Sequence, residues 1–264
     1  MSAKMHWESG ETAMERAEAE KALFYAMTIG ERLLISGAEV SRVEDTIRRV
    51  ALAYGAERVD VFSITSSIVS TLYFNGDQCV TQTRRVSSSA NDFGAIDQLN
   101  QLSRTICAAR PDFEWIRAEL ARIDARRRYS PGALIAIYAL VSAAFTVFFG
   151  GGARDMLASA AIGAALRLVE TALKPAAFNR MLTVFLCGCA GGLLANLAAL
   201  LVPGCRADLI SIGNIMLFTP GIAFTNSLRD LFSGDTITGL IRFFESLLLA
   251  ILLALGFALA NLIF

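Results

Sequence analysis

Residues 133–149 read ALIAIYALVSAAFTVFF, 17 residues without a charge. An apolar helix needs roughly 17–25 residues to cross the hydrocarbon core of a bilayer. Ser130-Pro131 supplies a start, with serine as N-cap and proline in the first turn, where its missing N–H costs nothing. Gly150-Gly151-Gly152 supplies a stop. The pattern recurs downstream at about Met156–Thr171, Met181–Val202 (closed by Pro203-Gly204), Leu209–Leu228 and Phe243–Phe264. Residues 129–264 are therefore expected to form about five transmembrane helices, which makes the chain an α-helical membrane protein with the lipid bilayer as its solvent.

Upstream the composition changes. The 264 residues are 55% apolar and 18% charged, and the charge is concentrated before residue 129. Residues 1–17 read as a disordered tail that holds the lone His6, with no second metal ligand beside it. Residues 18–128 read as a cytoplasmic α+β domain in the order ααβββαα. Leu23, Met27, Leu33 and Leu34 make a helical stripe, and Gly37 is a plausible stop. Ser41 followed by Glu44 has the spacing of a capping box at the start of a second helix, whose inner face is Val43, Ile47, Val50, Ala51 and Tyr54. Gly55 ends it. Val59–Thr65, Ser67–Phe74 and Gln78–Val86 are β-branched and aromatic, and Asn75-Gly76 is a hairpin signal. Two more helices follow at about Asn91–Ala109 and Asp112–Arg128, the last expected to run into the first span.

Basic residues near the span ends set the orientation. Arg122, Arg126, Arg127, Arg128, Lys174, Arg180, Arg229 and Arg242 fall on one side, and only Arg154 and Arg206 on the other. The domain is expected in the cytoplasm and, after five spans, the C-terminus outside.

Several functions are set aside. Net charge is zero and the basic residues are interleaved with acids, so no nucleic acid is expected as a partner. Cys79, Cys107, Cys187, Cys189 and Cys205 fit no zinc spacing. Ser63-Ile64-Thr65-Ser66-Ser67 lies in no nucleophile motif, and the domain has no histidine base. No catalytic residue, metal or cofactor is expected, and the chain is not read as an enzyme. Gly188 and Gly192 form a small-residue motif, read first as intramolecular packing and second as a subunit interface. Arg167 and Glu170, one turn apart, either snorkel or face a polar cavity.

Chemistry concentrates between Asn214 and Glu245, which read NIMLFTPGIAFTNSLRDLFSGDTITGLIRFFE. Pro220-Gly221 falls roughly 17 Å along the fourth span at the usual helical rise. Proline removes a backbone donor and breaks the helix, and broken spans hold substrates and ions in transporters. The candidate substrate or coupling residues are Asn214, Thr219, Pro220, Gly221, Asn226, Arg229, Asp230, Asp235, Thr236, Arg242 and Glu245. Arginine grips a carboxylate in bidentate fashion, so a small carboxylate is the expected ligand.

Gly37-Ala38-Glu39-Val40-Ser41-Arg42-Val43-Glu44, the Ser63–Thr71 strand region, Pro220-Gly221, Asp230-Leu231-Phe232-Ser233-Gly234-Asp235 and Gly239-Leu240-Ile241-Arg242 together resemble the threonine/serine exporter (ThrE) family. Within it they look like the YjjP-like proteins, which correspond to its N-terminal half. The resemblance implies an inner-membrane secondary exporter of threonine and serine or of a dicarboxylate such as succinate. It also implies a second small membrane subunit resembling the YjjB-like half, hence an oligomer. Under this reading Arg229 or Arg242 meets the carboxylate, and Asp230 or Asp235 is the proton-coupling acid. The alternative is a membrane receptor or regulator whose soluble domain senses a metabolite and moves nothing.

Overall fold

The computed structural model describes residues 14–87, 90–126, 129–173 and 179–264. His6 and most of the expected tail, Arg127-Arg128 with the expected continuation into the first span, and Lys174 lie outside the described residues. The chain divides into two compact units, Met1–Arg126 with Asp230–Thr238, and Arg127–Arg229 with Gly239–Phe264.

In the first unit α1 (Arg16–Ile35) begins inside the stretch expected to be tail. Ala19, Ala22, Leu23, Ala26, Met27, Ile29, Leu33 and Leu34 are all buried, because α1 lies against a β-sheet and also meets three other helices of this unit. Gly37 closes it at φ +88, with the N–H of Ala38 donating to Leu33 O at 3.0 Å. This is the left-handed glycine stop that a helix end favours. Helix α2 (Val40–Ala53) starts two residues earlier than the capping-box reading requires. Its N-cap is Glu39, which makes no side-chain cap bond. Ser41 lies within the first turn, and Glu44 instead accepts the Ser63 N–H at 2.7 Å. The sheet, formed only in tertiary structure, offers a donor that outcompetes the local cap.

Strands β1 (Arg58–Ile64), β2 (Ser67–Phe74) and β3 (Gln78–Arg85) form an antiparallel meander. Asn75 (φ 48) and Gly76 (φ 79) make the tight turn. On β2 the side chains of Ile68, Ser70, Leu72 and Phe74 are buried, as strand alternation requires. Helix α3 (Phe93–Ala109) is capped by Asp92 and α4 (Phe113–Asp124) by Asp112, each accepting a first-turn N–H. Arg126 forms an ion pair with Asp92.

In the second unit α5 (Pro131–Phe148), α6 (Ala153–Leu173), α7 (Arg180–Leu201) and α10 (Thr236–Asn261) are long and apolar enough to cross a membrane. Ser130 caps α5, accepting the Ala133 N–H at 3.2 Å. The expected span Leu209–Leu228 is not one helix. It is α8 (Ala207–Ile215) and α9 (Gly221–Phe232), of 9 and 12 residues, so among the described residues four helices are long and apolar enough to cross a membrane as single helices. The small-residue motif of α7 is used inside the chain. A Cβ at Gly188 would sit 2.9 Å from Leu253 O, and one at Gly192 would sit 2.6 Å from Ala260 Cβ, so α7 and α10 touch backbone to backbone.

Asp155, 2% exposed, ties the ends of this unit together. It accepts the N–H groups of Gly152 (2.9 Å) and Arg206 (2.8 Å), and the Arg206 guanidinium lies 3.5 Å away. Asp155→Ala would orphan two backbone donors at about 1–3 kcal/mol each. A fall of several degrees in the detergent melting temperature is expected, with Asp155→Asn intermediate. Equal melting of Asp155→Ala and the parent would refute the tie.

Candidate functional site

The interruption between α8 and α9 has a local cause. Thr219 N–H and hydroxyl both turn back to Ile215 O, at 3.2 and 3.0 Å. Pro220 has no N–H to continue the ladder, and Gly221 N–H bonds to Thr219 O at 2.8 Å. The chain then re-enters a helix with Phe224 N–H on Pro220 O. A Cβ at Gly221 would meet nothing within 4 Å, so the space beside the break is open.

The residues singled out from sequence differ in exposure. Thr219, Gly221 and Arg229 are exposed, Asn226 is half-buried on α9, and Asp230 is buried. Asp235 and Thr236 stand at the turn where Gly234 (φ 93) reverses the chain. On α10 Arg242 is half-buried and Glu245 exposed.

Asn214 is fully buried in a closed polar network between α5, α6 and α8. Its Nδ2 donates to Ser159 Oγ (3.0 Å) and Ile210 O (2.9 Å), and its Oδ1 accepts from Ser142 Oγ (3.0 Å). Thr146 Oγ1 adds a contact to Ser159 Oγ at 2.7 Å. Both amide protons are used and the carbonyl has a donor. The geometry is that of interhelical glue.

A second polar group lies on α5 and α6. Tyr138 O–H and Arg167 Nη1 both donate to Glu170 Oε2, at 2.8 and 2.7 Å, and the guanidinium stands 5.4 Å from the Tyr138 ring centroid. Arg167 and Glu170 side chains are 13% and 24% exposed, so the pair is held within the unit and does not snorkel. The sequence reading had both charges but missed Tyr138, which lies 32 residues from its partner.

In the first unit the turn between α9 and α10 places Asp235 close enough for its charge to act on Glu44. Burial pushes the Glu44 carboxyl above its ordinary value, and the Asp235 charge pushes the same way. The Ser63 N–H and the Arg48 charge oppose them. Asp235 Oδ2 is buried with no hydrogen-bond partner. A second carboxylate close by disfavours the charged form of Glu44 and favours its holding a proton. Glu44 escaped the sequence reading because its spacing from Ser41 already had a local explanation.

Comparison with known proteins places these features. Residues 25–264 match the family described as "Putative threonine/serine exporter". The chain is 24% identical over 233 residues to the "Probable succinate transporter subunit YjjP" of Klebsiella aerogenes, covering 86% of this chain and 88% of the relative. It is likewise 24% identical over 234 residues to the protein of that name in Escherichia coli K12, covering 86% and 89%. No solved structure matches.

Proposed function

The chain belongs to the threonine/serine exporter family, and from that premise we propose that it is one subunit of a multi-pass inner-membrane exporter of small carboxylate metabolites. The observation that carries this reading is the break at residues 216–220. It divides the expected fourth span into two short helices and leaves open space beside Gly221. Irregular backbone at membrane depth is tolerated where it lines a cavity or is buried in protein. A dicarboxylate is the favoured cargo, because both relatives are named as succinate transporter subunits. Threonine and serine are the second choice. That same word, subunit, supports a second membrane chain as partner. Arg229 and Arg242 would meet the carboxylate, and Glu44 with Asp235 would carry the coupling proton. If α8 and α9 together make one crossing, five passes place the N-terminal unit in the cytoplasm and the C-terminus outside.

Proteoliposomes holding this chain and its candidate partner, loaded with labelled succinate or labelled threonine, test the reading. Efflux of one cargo that needs both chains is expected. Retention of both cargos with both chains inserted would sink it. The break itself is tested by Pro220→Ala/Gly221→Ala. Alanine is about 3 kcal/mol better than proline and about 1 kcal/mol better than glycine inside a helix, so α8 and α9 should fuse. Transport is expected to fall roughly three- to tenfold, a barrier change of about 0.7–1.4 kcal/mol, with no loss of thermal stability. Unchanged efflux would separate the break from function.

A further inference from the structure

The first unit holds a cavity of about 460 Å³ that the transport reading does not use. Its walls are α2, with Ser41, Arg42, Asp45, Thr46 and Arg49, and α3, with Asn100, Ser103 and Arg104. Glu39 also lines it. Three guanidiniums therefore face two carboxylates. One charge pair is internal, since Arg49 Nε donates to Asp45 at 2.9 Å. Among the described residues neither Arg42 nor Arg104 has a carboxylate within ion-pair distance. These two cations sit on different helices, and Ser41, Thr46, Ser103 and Asn100 line the same cleft. The cavity also lies at the start of α2, where no side chain caps the first-turn N–H groups. Those donors and the helix dipole favour an anion there.

We propose that the α2–α3 cleft is a binding site for a small dicarboxylate anion, built from residues other than those assigned to transport and suited to regulate it. Two guanidinium forks on opposing helices match two carboxylate groups better than one. The volume lies within the usual range for small-molecule sites. The walls are polar and hydroxyl-rich, which suits a hydrophilic metabolite and not an apolar ligand. An anion bridging α2 and α3 would tighten the contact between them.

The test is calorimetric titration of the full-length protein in detergent with succinate, acetate and inorganic phosphate at matched ionic strength. Parent protein should bind succinate more tightly than acetate. Arg42→Gln/Arg104→Gln should weaken succinate binding at least about tenfold, and Arg42→Lys/Arg104→Lys should recover part of it, since lysine keeps the charge but loses the fork. An unchanged melting temperature of the ligand-free variants shows that the fold is intact. Equal succinate affinity in parent and glutamine variant would overturn the site, as would no binding of any probe. Phosphate binding more tightly than succinate would overturn the dicarboxylate assignment. Binding lost in the variant while liposome efflux persists would support a regulatory site. The binding outcomes are independent of whether transport itself is found.

Discussion

Valine in place of Gly213 should leave little folded protein to purify. Gly213 lies on α8 where it crosses α5, and a Cβ there would overlap Thr146 Oγ1 and stand 2.9 Å from both Ser142 O and Thr146 N. Two of these three neighbours are backbone, so no side-chain rotation relieves the clash. Helix α8 would have to move away from α5, and the network centred on Asn214 would open with it. Overpacking alone costs about 1–3 kcal/mol, and each buried polar group left unpaired adds about 1–3 kcal/mol. Together they form a large fraction of the stability of a typical domain. The expected readout is a detergent-solubilised sample that is mostly aggregated on size exclusion, with a melting temperature lower by ten degrees or more at the usual scale of about 2–4 °C per kcal/mol. Gly132→Val is the control, because a Cβ at Gly132 meets nothing within 4 Å. If Gly213→Val melts with the control, the close approach of α5 and α8 is wrong.

Local signals in the sequence read well. Asn75-Gly76 makes its turn with both φ positive, as mirror-image turns require. Ser130-Pro131 starts α5, and Gly37 stops α1. Proline and glycine act on their own neighbours, so they need no knowledge of the rest of the fold. Pro220-Gly221 likewise broke its helix where expected, but the consequence was understated. Each half is too short to cross alone, and the segment counted as a span is two helices. What sequence could not show is where long-range partners lie. Asn214 was read as a ligand-facing amide, yet its partners Ser142 and Ser159 lie 72 and 55 residues away and use it up. Glu44 was read as half of a capping box because Ser41 is near in sequence, whereas its donor is the Ser63 N–H, 19 residues on. A polar side chain has the same type whether it closes a network or faces a substrate. Only the tertiary partners tell the two apart.

Replacing Glu44 by glutamine should stabilise the protein at neutral pH and cripple it as a transporter. The stability half follows from the raised carboxyl of Glu44. An acid whose folded-state pKa exceeds its unfolded value, about 4.3 for glutamate, costs nothing below that unfolded value. The cost sets in as pH rises through it and is complete above the folded value. Glutamine removes the cost while its carbonyl can still accept the Ser63 N–H. Glu44→Gln should thus melt higher than the parent at pH 7–8, and the gap should close as pH falls towards 4. The transport half follows from the proposed role. If Glu44 and Asp235 share the coupling proton, losing either titrating group should cut gradient-driven efflux by more than about thirtyfold, roughly 2 kcal/mol. It should also flatten the pH dependence of what remains. Asp235→Asn should do the same, and the double variant should be no worse than either single one, because groups acting as a unit are not additive. A merely structural pair gives a different pattern, in which stability and transport move in the same direction. Efflux from Glu44→Gln with the parent's rate and pH profile would remove the pair from the mechanism and return the coupling role to Asp230.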